Sequence, residues 1–263
     1  MLTFVGLGLD NECGITLKGL EIARKADLVF AELYTSLMPN LSRENLEKLI
    51  GKPLVVLERQ DIEENAQQNV LDHAKNKQVA LLVPGDPMVA TTHVDLRLRA
   101  EKQGIATRVV AAASIQTVGA LIGLQSYKFG RTITLPFSSG TPAESPYDFL
   151  KKNLQAGLHT LVLLDLNIEK KQFMTVREGV RYLRGIEEKR KENVFQESTL
   201  VIGVARVGAD DMIVRAATAK QLEKLDMGLP PHCLIIPTKL HFMEAEALRV
   251  LAKAELGNMN QDS

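Results

Sequence analysis

Five times within the first 122 residues a short apolar run gives way to turn residues and then to a helical pattern, and no other feature narrows the possible folds as far. Residues 2–5 run into Gly6-Leu7-Gly8, after which Thr16 stands where it would cap a helix with Leu17, Leu20, Ala23 and Ala26 as its apolar positions. Runs at 28–31, 53–57, 79–83 and 105–110 repeat the pattern. Ser42 opens the second helix, and Gly51 closes it where a left-handed C-cap is favoured. Residues 61–75 read as a polar helix with Ile62, Ala66, Val70 and Ala74 as its inner stripe, and a last helix of this half runs from Ser114 towards Gly123. The alternation predicts five parallel strands with helices on both faces.

The fourth run ends at Pro84-Gly85-Asp86-Pro87. Such a turn brings backbone N–H groups and a carboxylate to the carboxyl edge of the sheet, where open α/β sheets bind ligands. It is equally a well-formed turn and nothing more, since Pro, Gly and Asp each suit turn geometry. Gly6-x-Gly8 is open in the same way: it permits close approach of a ligand, but the third glycine of a dinucleotide fingerprint would fall at Asn11.

After a hinge at 123–130 the character changes. Strands are expected at 131–137, 160–164, 199–205, 212–217 and 234–236, with the fourth lying antiparallel to the third. Helices are expected at 147–155, from Thr175, after a Thr218–Gln221 capping box, and at 242–256; the charge run 187–192 reads as a solvated helix face. Two αβα domains follow, 1–122 with a parallel five-stranded sheet and 123–263 with a mixed one.

Composition removes several functions. Equal numbers of basic and acidic residues, 32 each, give no global field for nucleic acid or a membrane surface. No apolar run is long enough to span a bilayer, and Met1 is not followed by a basic region and a cleavage site, so a cytoplasmic protein is expected. Cys13 and Cys233 lie far apart without metal spacing, and the five histidines form no ligand set, so no metal is expected. A serine-nucleophile elbow and a P-loop are both missing, and without tryptophan there is little for a base-stacking platform.

Three turns in order, Val5-Gly6-Leu7-Gly8 followed by Ile15-Thr16, Gly85-Asp86-Pro87, and Ala205-Arg206-Val207-Gly208, carry a resemblance. The chain resembles, over its whole length, the class III or tetrapyrrole methylase-like S-adenosylmethionine-dependent methyltransferases. It departs from many members in Leu9-Asp10, where a Pro-Gly is common, and in Pro237-Thr238-Lys239, where a Gly often precedes the Lys. Residues 31–36, 158–165 and 230–232 leading to 237–241 are similar to one branch of that family. Its members methylate the amino group of the 3-amino-3-carboxypropyl-histidine of translation elongation factor 2.

The resemblance implies S-adenosylmethionine as cofactor, a cleft between the two domains, a homodimer, and elongation factor 2 as protein substrate. It implies cofactor contacts from Leu9, Asp86, Val89, Ser114 and Ile115 in the first domain, and from Leu166, Val207 and His232 in the second. Asp86 has the most evident role, because a carboxylate can pair with the cofactor's ammonium or accept from its ribose hydroxyls. The resemblance assigns no catalytic base. A product with a fixed positive charge favours acidic or aromatic neighbours, for which Glu32, Tyr34 and Asp165 are candidates, while Lys128 and Arg131 are candidates for the substrate's carboxylate. A corrin or precorrin methylase is the alternative within the fold. A nicotinamide-dependent oxidoreductase, which lacks the third glycine here, and a non-catalytic binding module are the alternatives outside it.

Overall fold

Each of the five apolar runs in the first half forms a strand of one sheet: β1 (Leu2–Gly6), β2 (Leu28–Glu32), β3 (Val55–Leu57), β4 (Val79–Val83) and β5 (Thr107–Val110). In the computed structural model, which describes residues 1–138, 140 and 142–255, they lie in the order β3-β2-β4-β1-β5 with every pairing parallel. Alternation along the strands explains the two helical layers. Leu2, Phe4, Leu81 and Val83 face Ile62, Ala66, Val70, Leu96 and Ala100, whereas Val5, Ala80 and Leu82 face Leu20, Ala23, Leu46 and Ile50. Each fully buried Leu, Ile, Val or Phe among them contributes roughly 1.5–3 kcal/mol.

The ends of the helices follow local rules. Thr16 accepts from the Gly19 N–H at 3.1 Å, Ser42 from Asn45 at 3.2 Å, and Gly51 closes its helix at φ 81°. Elsewhere tertiary contacts shorten the expected elements. Ile105 donates its N–H to Ala100 O at the end of the helix His93–Lys102, so β5 begins at Thr107 rather than at 105. The expected helix 61–75 is broken into Arg59–Glu63, a π turn Gln67–Leu71 and Asp72–Asn76, with Asn69 Nδ2 donating to Asp61 Oδ1 at 2.8 Å.

Contacts group the chain as Met1–Ile115 and Gln116–Ser263, where the sequence reading divides it after 122. Residues 116–122 go with the second unit because Gly119 is pressed against the Phe129 ring with no room for a Cβ. The same contact limits the helix expected from Ser114 to a 3-10 turn Ile115–Thr117 and one helical turn, Val118–Leu121.

The second sheet comprises β6 (Ile133–Leu135), β7 (Thr160–Leu164), β10 (Leu200–Ala205), β11 (Ile213–Thr218) and β12 (His232–Ile236), with a separate hairpin of β8 (Leu166–Asn167) and β9 (Gln172–Phe173). Its order is β11-β10-β12-β7-β6, antiparallel except for β6 beside β7, so it is mixed as expected. Tyr147 and Leu150 of the helix Ser145–Gln155, and Val180 and Leu183 of Val176–Arg190, pack on Leu135, Val162, Leu234 and Ile236. The charge run at 187–192 is not merely solvated. Glu187 accepts from the N–H groups of Asn193, Val194 and Phe195, each at 2.8 Å, and from Tyr147 Oη at 2.7 Å. The last helix, Phe242–Leu251, stops before Leu256, which lies outside the described residues.

Candidate functional site in the strand-end turns

Because β4 and β1 are neighbours, the turns that follow them are neighbours too. Leu7 N donates to Val83 O at 2.8 Å, and Gly8 and Gly85 exchange hydrogen bonds, 3.2 Å from Gly8 N and 2.7 Å from Gly85 N. Both glycines sit at positive φ, 78° and 67°, a region costly to residues with a Cβ. A Cβ on Gly6 would lie 2.6 Å from both Ala112 Cβ and Gly85 O, so the turns after β1, β4 and β5 meet at bare backbone.

Asp86 holds that meeting together. Its Oδ1 accepts from the Met88 N–H at 2.9 Å and its Oδ2 from the Ala112 N–H at 3.2 Å. A carboxylate has about four lone-pair sites, so a half-buried Asp86 retains acceptor capacity beyond these two bonds. Val89 closes the turn by donating to Asp86 O at 3.3 Å, and Ala90 beyond it adopts φ 54°, strained for alanine. Leu9, Val89 and Ile115 are half-buried and Ser114 is buried. The structure thus brings Asp86 and Val89 into the turn beside Gly8 and its neighbour Leu9, with Ser114 and Ile115 following the β5 turn that Asp86 holds.

In the second unit the Ala205-Arg206-Val207-Gly208 turn follows β10. Arg206 has φ 56°, donates its N–H to Pro231 O at 2.8 Å, and directs Nε to Asp211 Oδ1 at 2.7 Å. Val207 is buried and Gly208 has φ 88°. His232 starts β12, paired with Ala205, two residues before the expected start of that strand. Its Nδ1 accepts from the Val176 N–H at 3.2 Å, so Nε2 carries the proton and donates to Leu229 O at 3.1 Å; burial also lowers its pKa. The ring is therefore fully engaged, and what His232 has left to offer a ligand is backbone. Leu166, in β8, donates its N–H to Asp165 Oδ1 at 2.9 Å.

The expected substrate-facing residues fare differently. Glu32 and Tyr34 are buried, at 0% and 8% exposure, so Glu32 is no rim residue. Asp165 accepts from the amides of Phe137 and Leu166, which accounts for it as a strand-end tie. The Arg131 guanidinium lies 3.5 Å over the Phe149 ring, and Lys128 Nζ contacts Glu244 Oε2 at 2.6 Å and Lys239 O at 2.9 Å. Among the described residues, no group of three or more His, Cys, Asp or Glu side chains is placed to hold a metal ion.

A family model described as Tetrapyrrole (Corrin/Porphyrin) Methylases matches residues 1–223. The chain belongs to this methylase family. Curated relatives carry the similarity to the end of the chain: a diphthine synthase of Methanosarcina barkeri is 47% identical with 99% of each chain covered, and one of Methanocella arvoryzae is 47% identical over 98% of this chain and all of that one. Among solved structures, a diphthine synthase crystal structure superposes with a TM-score of 0.87 at 41% identity, covering 96% of both chains. A putative diphthine synthase from Entamoeba histolytica gives the same TM-score at 36% identity, over 96% of this chain and 98% of that one.

Two buried clusters of this methylase escaped the sequence reading. Glu244 is fully buried and accepts from the Gln125 and His241 amides, Lys128 Nζ and His159 Nε2. Burial pushes its carboxyl up, but Lys128 and the other donors prevail and hold it at about 2. The second is Glu32 with His93, two completely buried ionisable side chains whose nearest atoms are 3.6 Å apart. The available signal was the type of residue: a Glu ending an apolar strand and a His opening a helix.

Proposed function

We propose that this methylase transfers the methyl group of S-adenosylmethionine to the amino group of the 3-amino-3-carboxypropyl-histidine of translation elongation factor 2, three times in succession, giving diphthine on the way to diphthamide. The observation that carries this reading is the end-to-end similarity to diphthine synthases, 47% identical with 99% of both chains covered. A corrin methylase is disfavoured because both reported solved relatives, and both curated ones, carry diphthine synthase names.

The residues present fit the cofactor. Gly6 and the Gly8–Gly85 pair leave a Cβ-free backbone edge, the half-buried Asp86 retains lone pairs for an ammonium or ribose hydroxyls, and Leu9 and Val89 beside it offer apolar surface. When bound, S-adenosylmethionine supplies a methyl group already activated by a sulfonium leaving group. What remains for the chain is alignment, the proximity contribution to catalysis, together with removal of the amine's proton. We further propose Leu166, Val207 and the His232 backbone as cofactor contacts, on the resemblance alone, and a cytoplasmic homodimer as the working molecule. The described residues contain no helix long and apolar enough to cross a membrane.

Incubation with methyl-labelled S-adenosylmethionine and elongation factor 2, with or without the aminocarboxypropyl-histidine, tests the reading. Label confined to the modified factor, with three methyl groups by mass spectrometry, is the expected result. Tight cofactor binding without transfer to that factor removes the substrate assignment and leaves the methylase family.

A further inference from the structure

Glu32 ends β2 and His93 opens the helix that follows β4 and the Pro84-Gly85-Asp86-Pro87 turn; because β2 and β4 are adjacent, the two side chains meet at the carboxyl edge of the first sheet. Both are 0% exposed. Neither is needed to fill a core that leucine would fill as well, and a buried carboxylate is costly unless it is fully bonded. Glu32 Oε2 accepts from the Tyr34 and Thr35 amides, each at 3.2 Å, and Oε1 accepts from the Thr35 hydroxyl at 2.5 Å. On its other side Oε1 faces His93 Nε2 at 3.6 Å; among the described residues that nitrogen has no hydrogen-bond partner, and the Pro87 carbonyl is the backbone group that acts on the ring. The opposite ring nitrogen, Nδ1, lies 2.6 Å from Thr91 Oγ1.

A chain of exchangeable groups results: Thr91, His93, Glu32, Thr35. Its ends are half-buried and its middle is sealed from solvent. The hydroxyl of Thr91 suits either tautomer of His93. If Glu32 is ionised, Nε2 can present a proton to Oε1; if Glu32 is protonated, Nε2 can present its lone pair. The pair has room for one labile proton, and burial pushes Glu32 up to about 7 and His93 down to about 4. Arg59 is the charged side chain whose field acts on Glu32, opposing the shift.

We propose that Glu32 and His93 are positioning residues that hold a proton for methyl transfer, with the Thr35 hydroxyl as the group that meets the substrate's ammonium. This rests on the amine-methylation reading above. The ammonium gives a proton to Thr35 Oγ1 as Thr35 passes its own to Glu32 Oε1. The freed amine lone pair then forms the N–C bond while the S–C bond breaks and its electron pair remains on sulfur. The proton on Glu32 leaves through His93 Nε2, as Nδ1 releases one to Thr91 and solvent. Every successive methylation must begin with a neutral amine, and between them His93 regains its starting tautomer as solvent protonates Nδ1 through Thr91 and Nε2 returns its proton through Glu32 Oε1 and the Thr35 hydroxyl to solvent.

The test pairs a spectroscopic titration with kinetics. In the cofactor-free wild-type protein, infrared difference spectra should show a buried carboxylic acid that disappears as pH rises through about 7, and E32Q should lack it. In methyl transfer to modified elongation factor 2, E32Q and T35V should each lose about 10- to 100-fold in kcat. Their pH limb should move up to that of a free amine, near about 8, while the Kd for S-adenosylmethionine by calorimetry changes less than about threefold. A wild-type protein without the titrating acid overturns the proposal, as does a wild-type limb retained in T35V. Should E32Q fail to fold, T35V and the wild-type spectrum decide. A normal spectrum with no methyl transfer by the wild type counts against the substrate reading, not against the proton-holding pair.

Discussion

The Asp86 carboxylate accepts from the Ala112 amide at 3.2 Å, so one side chain fastens the turn after β4 to the turn after β5 across the intervening β1. Its other oxygen closes its own turn through Met88. Asp86 is thus a structural tie between two strand-end turns.

Asp86→Ala should therefore change two measurements. Leaving two amides short of an acceptor costs about 1–3 kcal/mol in a urea titration, and S-adenosylmethionine binding by calorimetry should weaken about tenfold or more. Asp86→Asn, which keeps an acceptor oxygen for one amide, should recover part of the stability and little of the affinity.

Gly6 and Gly85 should fail by different routes. Gly6→Ala forces a methyl into contact with Ala112 and Gly85 O, an overpacking cost of about 1–3 kcal/mol, and spreads the turns apart. Gly85→Ala meets nothing closer than 4.0 Å but must hold φ 67°, a cost of roughly 1–2 kcal/mol. Thermal unfolding with and without cofactor separates them: added cofactor should restore less of the Tm in Gly6→Ala.

Glu244→Ala leaves Lys128, His159 and two amides without their common acceptor, and about 3–5 kcal/mol of destabilisation is expected. Lys128→Met should cost less, since three donors to Glu244 remain. Because the Glu244 carboxyl is depressed from 4.5 to about 2, its stabilisation is present above pH 4.5 and lost as pH falls through about 2. Denaturant midpoints over an acid series, with Glu244→Gln as reference, measure it.

Glu32 and His93 shape the pH dependence at the opposite end. Glu32, raised to about 7, contributes stability that is present below 4.5 and lost as pH rises through about 7. His93, lowered to about 4, contributes stability present above 6.5 and lost as pH falls through about 4. Between 4.5 and 6.5 the two slopes oppose one another, so a plateau is expected there, followed by a decline confined to about 6.5–7 that Glu32→Gln abolishes, with no further slope from this pair above about 7.

The elements legible in the chain are those governed by near neighbours. Thr16, Ser42, Gly51 and the Thr218–Gln221 pair act within one helical turn, and each does what its residue type predicts. The alternation of apolar runs with helical patterns was enough for the parallel first sheet, and its change of character after the hinge for the mixed second one. The candidate turns were legible one by one, but not the bonds that hold them. The partner of Asp86 is 26 residues away and becomes adjacent only through the strand order, and Glu244 draws on His159 and Lys128, 85 and 116 residues distant. The resemblance alone names His232; that its ring is tied to the Val176 and Leu229 backbones follows only from where β12 starts.

The position of β1 bears on how the chain is made. Val5 pairs with Leu82 on one side and Val110 on the other, so a strand finished with the first six residues waits for both neighbours until residue 110 is synthesised. Meanwhile a largely apolar strand is without its sheet neighbours while the intervening chain is made, a natural client for ribosome-associated chaperones. Stalled chains ending after β4 should remain protease-sensitive in residues 1–6, and those long enough to free β5 from the ribosome should not.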